Sequence, residues 1–187
     1  MFNSKDYLNN IEKKLENLDF ELASSYLSWL DKKTDYFIES LEKQGYQTQP
    51  DDLNIGDVVW VEFGINVGTE LSDYNTKGHY AVVIGVDLGN VIVIPLSSRD
   101  GSNSSLTFDI GVIKGLNHKN QHSYLKVDAI RSVSKRRIGR MVGKNNGKIT
   151  LSKNRDGKSK ICNVFPTIYR QYLYRILDYG KWKNACI

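Results

Sequence analysis

GHYAVVIG, residues 78–85, sets a histidine and a tyrosine at the mouth of a short apolar run bounded by glycines. Ala81 to Ile84 reads as a buried strand: it is brief, and three of its four residues are β-branched. Runs of the same style lie on either side of it. They are GDVVWVEFG (56–64), NVIVIPLSS (90–98), SSLTFDIG (104–111) and SYLKVDAI (123–130). Clusters of Gly, Asn and Asp separate them, as turn residues separate strands. Several short strands with short links predict a small barrel or a strongly curved antiparallel sheet. IGRMVGKNNGKITLS (138–152) reads as a hairpin, with Asn146-Gly147 supplying the positive φ angles of a tight turn.

The flanks are of another kind. Leu8, Ile11, Leu15 and Leu18 recur at helical spacing, with Glu12, Lys13, Lys14 and Glu16 on the other face. Asp19 is placed to cap a second helix carrying Leu22, Ala23, Tyr26 and Leu30. Thr34 is placed to cap a third with Phe37, Ile38 and Leu41. Gly45 and TQPDDLNIG (48–56) then break the helical pattern, and Pro50 disfavours helix at Gln49. A last helix is predicted with Pro166 in its first turn and a stripe of Ile168, Tyr172, Leu173, Ile176 and Leu177. The expected class is α+β. Residues 1–50 form an acidic helical extension, and residues 51–187 form a barrel domain that includes a basic segment, 131–160, and a C-terminal helix.

Composition narrows the function. With 40% hydrophobic and 25% charged residues, the chain of 187 has the balance of a globular domain rather than of a disordered one. No apolar run approaches the roughly 20 residues that span a bilayer. The start, MFNSKDYLNN, lacks the apolar stretch of a signal peptide, so the cytoplasm is expected. Cys162 and Cys186 are the only cysteines, too few for a disulfide framework or a zinc site. The net charge of +5 hides a segregation: residues 1–52 sum to −5 and residues 131–160 to +10. Such a basic block is the electrostatic footprint expected for a polyanion.

GDVVWVEFGINVGTE, HYAVVIG, VIVIPLSS and VDAIRSVSKRRIG, in that order, resemble the MazF/PemK family of toxin endoribonucleases. The resemblance covers roughly residues 54–140. It implies an SH3-like barrel, usually a homodimer, held inactive by an antitoxin protein. It also implies cleavage of single-stranded RNA without metal or other cofactor. In that reaction the ribose 2′-OH attacks the phosphate, leaving a 2′,3′-cyclic phosphate and a 5′-OH. Gly68, Thr69 and Glu70 fall on the family's G-S-E loop. His79 stands where the family has its catalytic arginine, and Tyr80 where it has proline. Ser97, with Ser98 beside it, falls on the Thr/Ser that ends the third strand. Arg131 matches the arginine of the "QIR" segment, in which Ala129 replaces the glutamine.

The residue types suit that chemistry. Cleavage needs a base for the 2′-OH proton, an acid for the 5′-oxygen, and cations or donors for the charged phosphorane. His79 suits either proton transfer, since imidazole titrates near pH 6.5. Glu70 is a candidate to orient it or to serve as the complementary base. Thr69, Ser97 and Ser98 are hydrogen-bond donors, and Arg131 offers a fixed bidentate cation. Lys135, Arg136, Arg137, Arg140 and Lys144 are candidates to track phosphates. His118 and His122 have helical chelate spacing, but Gly115, Asn117 and Asn120 argue for a loop and against a metal site; His122 is an alternative acid–base candidate, because the strand that follows it leads to Arg131. Trp60 and Phe63 are expected to pack rather than stack on bases. Two alternatives stay open. One is a non-catalytic RNA- or protein-binding module on the same barrel, which loss of the arginine favours. The other is a mobile-element protein whose barrel makes only protein contacts.

Overall fold

The computed structural model describes residues 3–41, 52–68, 70–72, 78–100, 104–116, 121–139 and 147–151. The chain divides into two compact units, one of residues 1–48 and 62–78, the other of 49–61 and 79–187. No helix among the described residues is long and apolar enough to cross a membrane.

The first unit holds helices α1 (Ser4–Leu15) and α2 (Phe20–Leu41). Asn3 caps α1 by accepting the Lys5 N–H at 3.2 Å, and Lys13 and Lys14 complement the dipole at its other end. Asp19 caps α2 as its sequence position predicts, accepting the N–H groups of Glu21 (2.9 Å) and Leu22 (3.3 Å). The third helix does not exist as a separate element. No Gly or Pro interrupts residues 20–41, and Thr34 donates its hydroxyl to the Leu30 carbonyl at 2.8 Å inside α2. A residue that looks like a cap is satisfied within the helix instead. Trp29 is buried against Gly64, whose φ is +67°. A Cβ there would sit 1.9 Å from the Trp29 ring, so only glycine fits. Glu62 accepts from Lys32 Nζ (2.7 Å) and from the Tyr36 hydroxyl (2.5 Å).

Among the described residues the second unit holds an antiparallel sheet of eight strands. They are β1 (Asp57–Val61), β2 (His79–Val86), β3 (Asn90–Ser97), β4 (Thr107–Val112), β5 (His122–Lys126), β6 (Arg131–Ser134), β7 (Ile138–Gly139) and β8 (Ile149–Thr150). The order is β4-β5-β3-β2-β1-β7, with β6 also on β3 and β8 also on β1. β3 organises the unit. One of its edges pairs β2 from Val91 to Pro95; the other pairs β6 over Asn90–Val93 and then β5 at Leu96 and Ser97. A strand shared in this way bends the sheet. Among the described residues no pairing joins β4 to β7, so the sheet is open.

Cross-strand registers stack the core. Val58, Val82 and Ile94 form one row, and Leu96 and Leu125 another, with Ile113 and Leu151 closing the cluster. The opposite face is also buried at Val59, Val61, Ala81, Val83, Val91 and Val93. Burial on both faces explains why β2 and β3 read as continuous apolar runs instead of alternating ones. Each fully buried valine contributes about 1.5 kcal/mol.

The expected hairpin over 138–152 is corrected. β7 and β8 do not pair with each other; both lie on β1 and run in the same direction, Gly139 opposite Trp60 and Ile149 opposite Val58. Gly147 has the predicted positive φ of +66°. Asn146, like the expected C-terminal helix, lies outside the described residues.

Candidate active site at the end of β3

Two independent registers define a line of polar side chains. Ser97 pairs with Tyr124, and Tyr124 with Asp109. On the other edge, β2 pairs with β3 from Ala81–Pro95 downward. That pairing stops there, and His79, the first residue of β2, lies opposite Val61 of β1. Directly opposed residues of an antiparallel pair share a face. Ser97, Tyr124 and Asp109 therefore stand in one row, about 4.8 Å apart per strand.

Arg131 pairs with Val93, on the same face as Ser97 but four residues away along β3, roughly 13 Å by strand rise. It is half-buried. Ser97 Oγ accepts the Arg99 N–H at 3.0 Å and thereby closes the turn beyond the strand. The Ser98 carbonyl accepts from Gln121 Nε2 at 3.2 Å, which ties the start of β5 to the end of β3. Lys135, Arg136 and Arg137 form a 3₁₀ turn whose first N–H donates to the Gly89 carbonyl at 3.0 Å. This turn lies at the opposite end of β3 from Ser97. Lys135 is buried, while Arg136 and Arg137 are half-buried. Glu70 is exposed in the loop of the first unit, next to Gly68 with its φ of +61°. Asn66 knits that loop, donating its side-chain amide to the Leu71 carbonyl at 2.6 Å and its backbone N–H to Ser72 Oγ at 2.8 Å. Thr69, Arg140, Lys144 and His118 lie outside the described residues.

Asp109 of this row is joined to His122, a pairing the sequence did not reveal, although it offered His122 as an alternative acid–base candidate. His122 Nδ1 lies 2.7 Å from Asp109 Oδ2. The imidazole opens β5 rather than sitting in a loop. Asp109 also accepts the Gly111 N–H at 2.7 Å. The His122 hydrogen bond, followed by that of Gly111, holds the Asp109 carboxyl below its usual range. Partial burial, then the carboxylates of Asp100 and Asp109, push the Tyr124 phenol above its ordinary value, so it stays protonated at neutral pH. The His122 and Tyr124 rings lie 6.5 Å apart. The signal was latent in TFDIG and HSY, but it needed the β4–β5 register to be read. Nearby, Lys126 Nζ contacts Thr107 Oγ1 (3.3 Å) and Asp128 Oδ2 (3.5 Å).

Other motif residues are structural. Asp57, of the opening Gly-Asp, is fully buried and accepts from Asn54 N–H (2.9 Å), Thr150 Oγ1 (2.8 Å) and Lys148 Nζ (2.8 Å). Lys148 also reaches the Asp52 carbonyl and its carboxylate. One cation of the basic block is thus committed to the fold. Trp60 packs edge-on against Tyr80 with centroids 5.0 Å apart, and Phe63 is fully buried, so both serve packing. No cluster of metal-ligating side chains occurs among the described residues.

An α+β chain whose acid–base groups line the face of a bent antiparallel sheet defines the class. Residues 54–162 match the family described as PemK-like, MazF-like toxin of type II toxin-antitoxin system. The match spans more than half of the chain, and the chain belongs to this family, which is known for RNA-cleaving toxins. Membership implies an antitoxin partner. No curated protein matches the sequence.

Proposed function

We propose that the chain is a metal-independent endoribonuclease toxin acting on single-stranded RNA, with 2′-OH attack and products bearing 2′,3′-cyclic phosphate and 5′-OH ends. What supports this reading is membership of the toxin family, together with Ser97 and Arg131, whose pairings with Tyr124 and Val93 put them on one side of β3. His79 takes over proton transfer at the position of the family's arginine. Ser97 and Ser98 donate to phosphate oxygens, and Arg131 supplies fixed positive charge. Arg136, Arg137 and Arg140 hold the flanking backbone, with Lys135 supporting their turn from below.

On the same reading the described strands belong to an SH3-like barrel of the family kind, the chain carries a C-terminal helix, and the working form is a cytoplasmic homodimer. The acidic residues 1–50 act as an extension that modulates access or docks the antitoxin.

The test is incubation of the purified chain with a long unstructured RNA in EDTA, followed by analysis of product ends. Cyclic-phosphate ends, abolished by His79→Ala and reduced by Arg131→Ala, are expected. RNA binding without any product would favour the binding-module alternative and overturn the proposal.

A further inference from the structure

The Asp109–His122 pair lies on the same face as Ser97, and the function proposed above leaves it without a role. Its geometry is that of an oriented imidazole. An ionised carboxylate only accepts, so Asp109 Oδ2 at 2.7 Å fixes the proton on His122 Nδ1. The basic lone pair is thereby left on Nε2, which has no protein partner among the described residues. His122 and Asp109 are about half exposed, with side-chain accessibilities of 55% and 45%. A nucleic acid can reach the imidazole without rearrangement. The β5 strand antiparallel to β3 sets His122 two residues beyond Tyr124, level with the turn at Ser97–Arg99. His79 opens β2, opposite Val61 of β1, at the position of the family's arginine.

We infer that His122, oriented by Asp109, is the general base of the RNA cleavage and that His79 is the complementary acid. This rests on the endoribonuclease reading and deepens it. Nε2 of His122 removes the 2′-OH proton, and the 2′-oxygen forms a bond to phosphorus. The bond from phosphorus to the 5′-oxygen breaks, and the protonated imidazole of His79 delivers its proton to that oxygen. One proton is gained and one lost by the protein, and the products are a cyclic phosphate and a 5′-OH. Tyr124, kept protonated, stands across from Ser97 as a donor toward a phosphate oxygen. The scheme gives acid–base groups to a chain with a histidine at the position of the family's arginine. It also assigns Asp109 as a positioning residue rather than a catalytic one.

The test measures the pH–rate profile of RNA cleavage in EDTA for the wild-type chain, His122→Gln, His122→Gly and Asp109→Asn. The titratable groups facing His122 are Asp109 on β4 and Tyr124 on β5, with Asp100 beyond Tyr124. A bell-shaped wild-type profile is expected, with its acid limb lost in His122→Gln and kcat lowered about 10²- to 10⁴-fold. Added imidazole should restore part of the activity of His122→Gly. Asp109→Asn should lower kcat while leaving RNA affinity unchanged, since the carboxylate only orients the ring. If His122→Gln cleaves within about threefold of wild type with an unchanged profile while His79→Ala is inactive, the base assignment falls and the endoribonuclease reading stands. If the wild-type chain cleaves no RNA, both fall. A circular dichroism spectrum and melting curve identical to wild type exclude misfolding as the cause of a loss.

Discussion

Two aspartates of the sheet invite comparison. Asp57 and Asp109 each hold a nitrogen base at nearly the same distance, 2.8 Å to Lys148 and 2.7 Å to His122. They differ in burial. The Asp57 carboxylate is sealed and Lys148 nearly so, with accessibilities of 0% and 8%. The second pair stands open at 45% and 55%. A sealed ion pair has paid its desolvation in folding and cannot lose a partner cheaply. An open one contributes little stability, but it meets whatever comes to the surface. The same ion-pair distance thus marks a structural lock on β1 in one place and a chemically available base in the other.

The largest expected effect comes from breaking the lock. Lys148→Met leaves the Asp57 carboxylate buried with only its Asn54 and Thr150 donors, and should cost about 3 kcal/mol of stability. Chemical denaturation checks this through a lowered midpoint at unchanged slope. The same pair predicts a pH dependence. Burial alone would lower the Lys148 pKa, but hydrogen bonds and charge from Asp57 and Asp52 outweigh it and hold the ammonium above the ordinary 10.5. A raised folded value means that the stabilisation is fully present below pH 10.5 and disappears as the pH climbs through the higher folded value. Alkaline melting curves should lose this increment in wild type and not in Lys148→Met. Thr150→Val is the smaller version. It removes the donor to Asp57 Oδ1 at 2.8 Å and should cost about 1–2 kcal/mol.

The contrast also shows what the sequence made legible. The strands were readable because Val82, Val83, Val91 and Val93 are buried whichever face they occupy, which leaves long apolar runs. Asp19 announced its helix, because capping is a local event. Thr34 misled, since a hydroxyl that caps a helix also bonds back inside one, and only the uninterrupted packing of α2 decides between the two. Lys148 counted as part of a polyanion footprint, although a buried carboxylate 91 positions earlier claims it. His122 was read as a loop residue because Asn and Gly precede it. Its partner sits across a β4–β5 pairing whose register shifts between Asp109 and Val112. Registers are set by bulges and turns, which composition does not reveal. His79, Ser97 and Arg131 were singled out through family order, whereas the pairings that set Ser97 opposite Tyr124 and Arg131 opposite Val93 were not readable there.

The smallest expected effect sharpens the comparison most. Asp109→Asn and His122→Gln should each change stability by less than about 0.5 kcal/mol at neutral pH, because exposed pairs rarely contribute more. Asp109 is held below its usual range, so the little that the pair does contribute is present above the ordinary carboxylate pKa of 3.8 and vanishes as the pH falls through the lower folded value. Melting curves of the two variants should therefore overlay wild type at pH 7 while their RNA cleavage differs from it. A loss of several kcal/mol in either variant would make the open pair a second lock, and the difference in burial would then not separate structure from chemistry in this sheet.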